Sequence, residues 1–113
     1  MTRDPGSGTD RDPLTDPEAP FYTIGQVSEL VGVPAATLRR FDDESIVSPG
    51  RSTGGQRRYS RNQVEQLREV RELTDAGVTL PGVRMVLALR RQVDGLEAEL
   101  AETRAALRNA EGR

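Results

Sequence analysis

The side chains available for chemistry in this 113-residue sequence are few in kind. It holds no His and no Cys, and all 16 basic residues are Arg. Without Cys there is no thiol nucleophile, disulfide or soft-metal ligand set. Without His, the usual general base and the commonest metal ligand are missing. The lack of Lys excludes a Schiff base and the phosphate-reaching amine of a P-loop. Carboxylates, hydroxyls and guanidiniums remain, so binding and not catalysis is the chemistry to expect, with no catalytic residue, cofactor or metal assigned. The tightest acid group, Asp42-Asp43-Glu44, has no further ligand beside it and reads as a helix end.

Guanidiniums grip phosphate oxygens and the acceptor edge of guanine, and here they are clustered. The formal net charge is −2, unevenly spread. Residues 1–20 set two Arg against five acids, residues 21–91 eleven against eight, and residues 92–113 three against five. From Ser45 to Val64 there is no acid, but there are Arg51, Arg57, Arg58 and Arg61. Local field, not total charge, decides how a polyanion is met. A solvated arginine face is the plain alternative; the Gly-rich turn among these arginines favours phosphate contact.

Those arginines need elements to hold them. Residues 1–20 carry four Pro, two Gly and little aliphatic surface, which predicts a disordered acidic tail. The folded domain is expected over residues 21–91. Thr23 to Gln26 reads as a capping box, with Tyr22 and Val27 placed as a hydrophobic staple. Ile24, Val27 and Val31 recur at helical spacing and Gly32 terminates the run. Pro34 restarts the chain as a first-turn proline. A second helix then runs from Ala35 to about Glu44, Leu38 and Phe41 inward, Thr37, Arg39 and Arg40 outward. Two helices joined by a short Gly-containing turn form a helix-turn-helix pattern. Ile46 to Pro49 and Gln56 to Tyr59 flank the turn Gly50 to Gly55 and read as a β-hairpin wing. A second capping box, Ser60 to Gln63, starts a third helix with Val64, Leu67, Val70 and Leu73 on one face. Thr79 caps a fourth, where Pro81 is tolerated and Val83, Val86 and Leu87 face the core.

Residues 92–113 change rhythm. Val93, Leu96, Leu100, Thr103 and Leu107 alternate steps of three and four, which predicts a short coiled-coil dimerisation helix. Its stripe is narrower than the face of a core helix. Folding back on its own domain is the alternative. An antiparallel partner would set Glu97 against Arg104, with Leu100 near the centre. No apolar run approaches the roughly 18 residues of a membrane span, and no signal-peptide core follows Met1, so a soluble cytoplasmic protein is expected.

Three stretches resemble the MerR family of bacterial transcription regulators. Phe21-Tyr22-Thr23-Ile24-Gly25-Gln26-Val27 is similar to its opening helix, Thr37-Leu38-Arg39-Arg40-Phe41-Asp42 to its recognition stretch, and Gly55-Gln56-Arg57-Arg58-Tyr59-Ser60 to its wing. The resemblance covers about Phe21 to Leu89, in the right order. The Gly-Gly before Arg57 and the Val47-Ser48-Pro49 lead-in look most like the heat-shock-repressor branch. The resemblance implies a mainly α, winged helix-turn-helix fold that binds pseudo-palindromic double-stranded DNA as a homodimer. It implies a DNA-facing set of Thr23, Pro34, Ala35, Ala36, Thr37, Arg39, Arg40, Arg51, Gln56, Arg57, Arg58 and Tyr59. Within it Arg39 matches a phosphate clamp, and Arg57 and Tyr59 match wing residues that grip the backbone. Arg40 and Gln56 stand where the family often has Tyr, and Pro34 replaces a frequent Ser. The heat-shock branch further implies a chaperone-type protein co-regulator. The cysteines of its metal-sensing members are absent. An excisionase-like architectural protein and a protein-binding adaptor are the other functions this fold serves.

Overall fold

The computed structural model describes residue 12 and residues 14–112. Residues 1–11 and Pro13 of the expected tail lie outside the described residues, as does Arg113. The element order is β1 (Tyr22–Thr23), α1 (Ile24–Val31), α2 (Ala35–Asp43), β2 (Gly50–Arg51), β3 (Arg57–Tyr59), α3 (Arg61–Asp75) and α4 (Leu80–Glu111).

Local chemistry accounts for most of the boundaries. Thr23 Oγ1 accepts from the Gln26 amide at 3.1 Å while the Thr23 amide donates to Gln26 Oε1 at 2.9 Å. Ser60 and Gln63 repeat this reciprocal cap at 3.1 and 2.9 Å. Gly32 ends α1 in the left-handed region, φ 69°. Pro34 sits one position earlier than expected, at the N-cap of α2, and supplies no side-chain cap. Its missing amide removes no helical hydrogen bond there.

The wing differs from the expected hairpin. β3 is the central strand of an antiparallel sheet ordered β1-β3-β2, with Tyr22 opposite Tyr59 and Gly50 opposite Arg58. The first wing strand is Gly50–Arg51, not Ile46 to Pro49. Ile46 and Val47 are instead buried core residues. They are turned inward by the end of α2, where Ser45 takes a left-handed φ of 57°. The Ile46 amide donates to Phe41 O at 2.8 Å and the Ser45 amide to Asp42 O at 3.0 Å. This Schellman closure satisfies helix-end carbonyls and uses the residues that would have extended the strand.

The core gathers Val27 and Val31 from α1, Leu38 and Phe41 from α2, Tyr59 from β3, Val64, Leu67 and Val70 from α3, and Val83 and Leu87 from α4. It extends further toward the N-terminus than expected. Ala19 is buried, and the Asn62 amide donates to Pro17 O at 3.1 Å. That amide belongs to the first turn of α3, where donors lack intrahelical partners. The Asn62 side chain donates to Glu18 as well. The stretch 14–20, expected within the disordered tail, is therefore partly tied to the domain.

α4 is one unbroken helix of 32 residues, passing through Gly95 with no division near Arg91. It does not fold back on the domain. Leu96 is 64% and Leu107 57% exposed, and Val93 and Leu100 are exposed beside them. Among the described residues no helix is long and apolar enough to cross a membrane.

Candidate nucleic-acid interface

The helix-turn-helix presents the front of α2 to solvent. Leu38 and Phe41 anchor its inner face in the core, so Pro34, Ala36, Arg39 and Arg40 stand exposed and Ala35 and Thr37 half-exposed. Small side chains in the first turn let another surface approach the helix backbone closely, and the two arginines follow one turn later. Arg40 Nε donates to Glu44 Oε2 at 3.0 Å, an exposed pair one helical turn apart. Such pairs are weak and screened by salt, so Arg40 is available to a stronger acceptor. Arg39, one helical turn before Asp42 and Asp43, makes no ion pair among the described residues.

The wing is shaped by its own turn. The Ser52 amide donates to Gln56 O at 2.7 Å, the Gln56 amide to Ser52 Oγ at 3.2 Å, and the Gly55 amide to Ser52 O at 2.9 Å. Gly55 takes φ 80° at the tip, a conformation that costs an L side chain about 1–2 kcal/mol. Arg51 and Gln56 are exposed on the hairpin, and Arg57 and Arg58 are half-buried along β3.

Between α2 and the wing lies an open cleft of about 340 Å³. It brings together Thr23 from the cap of α1, Arg39 from α2, and Arg51, Gln56, Arg57 and Arg58 from the wing. Six residues singled out from sequence thus share one concave surface carrying four guanidiniums. Pro34, Ala35, Ala36, Thr37 and Arg40 lie outside this cleft, on the rest of α2. Tyr59 sits behind it, fully buried.

Two polar atoms in this region lack partners among the described residues: Arg58 Nη1 and the Tyr59 hydroxyl. Burial holds the Tyr59 pKa above its ordinary value of 10.0. The Asp42 charge pushes it the same way, while Arg57, Arg51 and Arg39 pull it back.

The residue that sequence reasoning missed is Asp42. Its Oδ2 accepts from Arg57 Nε at 2.9 Å and lies 3.6 Å from Arg51 Nη2. Arg57, expected to be free for a phosphate, already has a protein partner and keeps only 23% of its side chain exposed. Asp42 was grouped with Asp43 and Glu44 because the three adjoin in sequence. Only Asp42 faces the acid-free stretch, and a partner 15 residues away leaves no local signal. The described residues contain no cluster of His, Cys, Asp and Glu able to hold a metal ion.

The family model of MerR HTH regulatory proteins matches residues 22–89. The chain belongs to the MerR family. Among its relatives, a protein described as heat shock protein HspR of Streptomyces coelicolor is 41% identical over 94 residues, which cover 82% of this chain and 62% of that protein. The HTH-type transcriptional regulator GlnR of Bacillus anthracis is 35% identical over 72 residues, 64% of this chain and 56% of GlnR. The chain thus matches about six-tenths of the length of these relatives. Of solved structures, MtaN, the N-terminal part of the Bacillus subtilis multidrug transporter activator, aligns with TM-score 0.56 and 23% identity. That alignment covers 80% of this chain and 94% of MtaN. HiNmlR, a MerR family regulator lacking the sensor domain and solved bound to promoter DNA, aligns with TM-score 0.54 and 23% identity, covering 80% of this chain and 84% of its own. These structures share the fold: a mainly helical winged domain that continues into a long helix.

Proposed function

We propose that this MerR-family protein is a sequence-specific transcription regulator that binds pseudo-palindromic promoter DNA as a homodimer. The observation that carries this reading is the cleft joining Arg39 of α2 to Arg51 and Arg58 of the wing, beside the exposed front of α2. α2 is narrow enough for a major groove, and the wing then lies along the flanking backbone. Arg39, Arg51 and Arg58 meet phosphates; Arg40, with Thr37 and the Ala35-Ala36 turn, faces base edges. Thr23 and Gln56 border the same path. The Arg58 nitrogen and the Tyr59 hydroxyl, buried without partners, gain acceptors when a phosphate enters. The exposed Val93, Leu96, Leu100 and Leu107 of α4 form the seam with a second copy, and Thr103 lies along it. The protein acts by binding, in the cytoplasm where DNA is reached, and no bond-making step is assigned to it.

Selection of sites from random duplex DNA at about 0.15 M salt tests this directly. An inverted repeat is the expected product. Recovery of no motif, with binding that fades as salt rises, would replace this reading with an architectural role.

A further inference from the structure

We propose that Asp42 is a positioning residue for DNA binding: its carboxylate fastens the wing to the end of the recognition helix through Arg57, with Arg51 as a looser second partner. The proposal rests on the DNA-binding reading above. It removes Arg57 from the set of phosphate ligands and makes it the wing's half of an internal latch.

Backbone pairing does not fix the angle between wing and α2. β3 pairs with β1 and β2 only, through very short strands. Tyr59 buries one end of β3 in the core, leaving the hairpin beyond it to be steadied by side chains. The Asp42–Arg57 pair does this across 15 residues of sequence. Both partners are largely shielded, with 15% and 23% of their side chains exposed, whereas Arg51 keeps 50%. A shielded, hydrogen-bonded charge pair holds its geometry better than an exposed one.

Helix electrostatics explains why the pair forms here. Asp42 lies in the last turn of α2, where the negative end of the helix dipole disfavours a carboxylate. A guanidinium brought from the wing relieves that conflict. Arg57 and Arg51 therefore stay beside the helix, and Arg51 lies at 3.6 Å, far enough to turn toward a phosphate without breaking the latch.

Simple repulsion and positioning predict opposite signs. If Asp42 were only a negative charge near a polyanion, Asp42→Asn would tighten binding. Positioning requires that it weaken binding, on the order of tenfold, the range of coupling between residues in direct contact. The test measures duplex affinity across a salt series, with urea unfolding of every variant. It compares the wild type with Asp42→Asn, Asp42→Glu, Arg57→Ala, the Asn/Ala double variant and Arg39→Ala. We expect Asp42→Asn and Arg57→Ala to lose similar affinity with the salt slope unchanged. The double variant should lose no more than either alone, and Asp42→Glu should recover part of the loss. Arg39→Ala, a phosphate ligand, should reduce the slope by about one.

Tighter binding by Asp42→Asn, or a slope reduced by about one in Arg57→Ala, overturns the proposal and leaves DNA binding intact. If Asp42→Asn lacks a cooperative urea transition, the slope of Arg57→Ala decides alone. A wild type that binds no duplex overturns the DNA reading, and the latch as a binding device goes with it.

Discussion

Tyr59 carries two demands that conflict within the protein itself. Its ring is fully buried, and its hydroxyl has no partner among the described residues. An unsatisfied buried hydroxyl costs about 1–3 kcal/mol. Tyr59→Phe should therefore leave the free protein as stable as the wild type or up to about 1 kcal/mol more stable, read by urea unfolding. On the proposed DNA-binding reading, the same variant should bind its site severalfold more weakly, because the contact assigned to the hydroxyl is lost. Alkaline pH gives a second readout. The folded-state pKa lies above the ordinary 10.0 because burial, reinforced by Asp42, disfavours the phenolate. A raised pKa contributes stability that is complete below pH 10 and lost as pH rises through the folded value. Tyr59→Phe should flatten that alkaline limb. At this scale the sequence was legible where partners are neighbours: both capping boxes, Thr23 with Gln26 and Ser60 with Gln63, follow from residues three apart. Asp42 was not legible, since nothing in a run of three acids marks which one will face a guanidinium 15 residues on.

Helix ends are decided by glycines that look alike in sequence and differ in surroundings. Gly32 closes α1 at φ 69°, and a Cβ there would lie 2.5 Å from Arg71 Nη1. That same nitrogen donates to Val31 O at 2.8 Å, satisfying a carbonyl at the end of α1. Gly32→Ala should cost about 1–2 kcal/mol for the left-handed backbone alone, and more if Arg71 is pushed off its acceptor. Gly95 is the reverse case. It lies inside α4 with nothing within 4 Å of an added Cβ. Gly95→Ala should stabilise the helix by about 0.5–1 kcal/mol. Opposite shifts in the urea midpoint would check both. The order of helices was readable because the core positions repeat at helical spacing and the caps are local. The sheet was less so: β1 has only two residues, too short for any alternation to register. The first wing strand was displaced because Ile46 and Val47, apolar and extended-looking, close the end of α2 and enter the core.

The described residues form a closed head and an open stem. The head has a continuous core, while α4 beyond Arg91 buries nothing against it. The exposed leucine stripe of the stem is the seam of the proposed dimer. Leu100→Asp places a charge at the centre of that seam, and a buried unpaired carboxylate would break it. Sedimentation should show wild-type dimer and Leu100→Asp monomer at micromolar concentration, with the head's unfolding unchanged. A wild-type monomer would remove the dimer from the account. The a/d rhythm exposed this stem in the sequence, but the continuity of α4 through Gly95 came from the structure alone. That continuity makes α4 a measuring rod. At 1.5 Å per residue its 32 residues extend about 48 Å without a joint. In the proposed dimer, two heads fastened to such rods stand at a set gap, like the jaws of a caliper. One base pair inserted between half-sites shifts them by about 3.4 Å and rotates them by roughly 35° about the duplex axis. A jointless rod absorbs neither change, so on the proposed reading the operator itself must twist or bend to fit, and the spacing between half-sites becomes as much a part of the code as its bases.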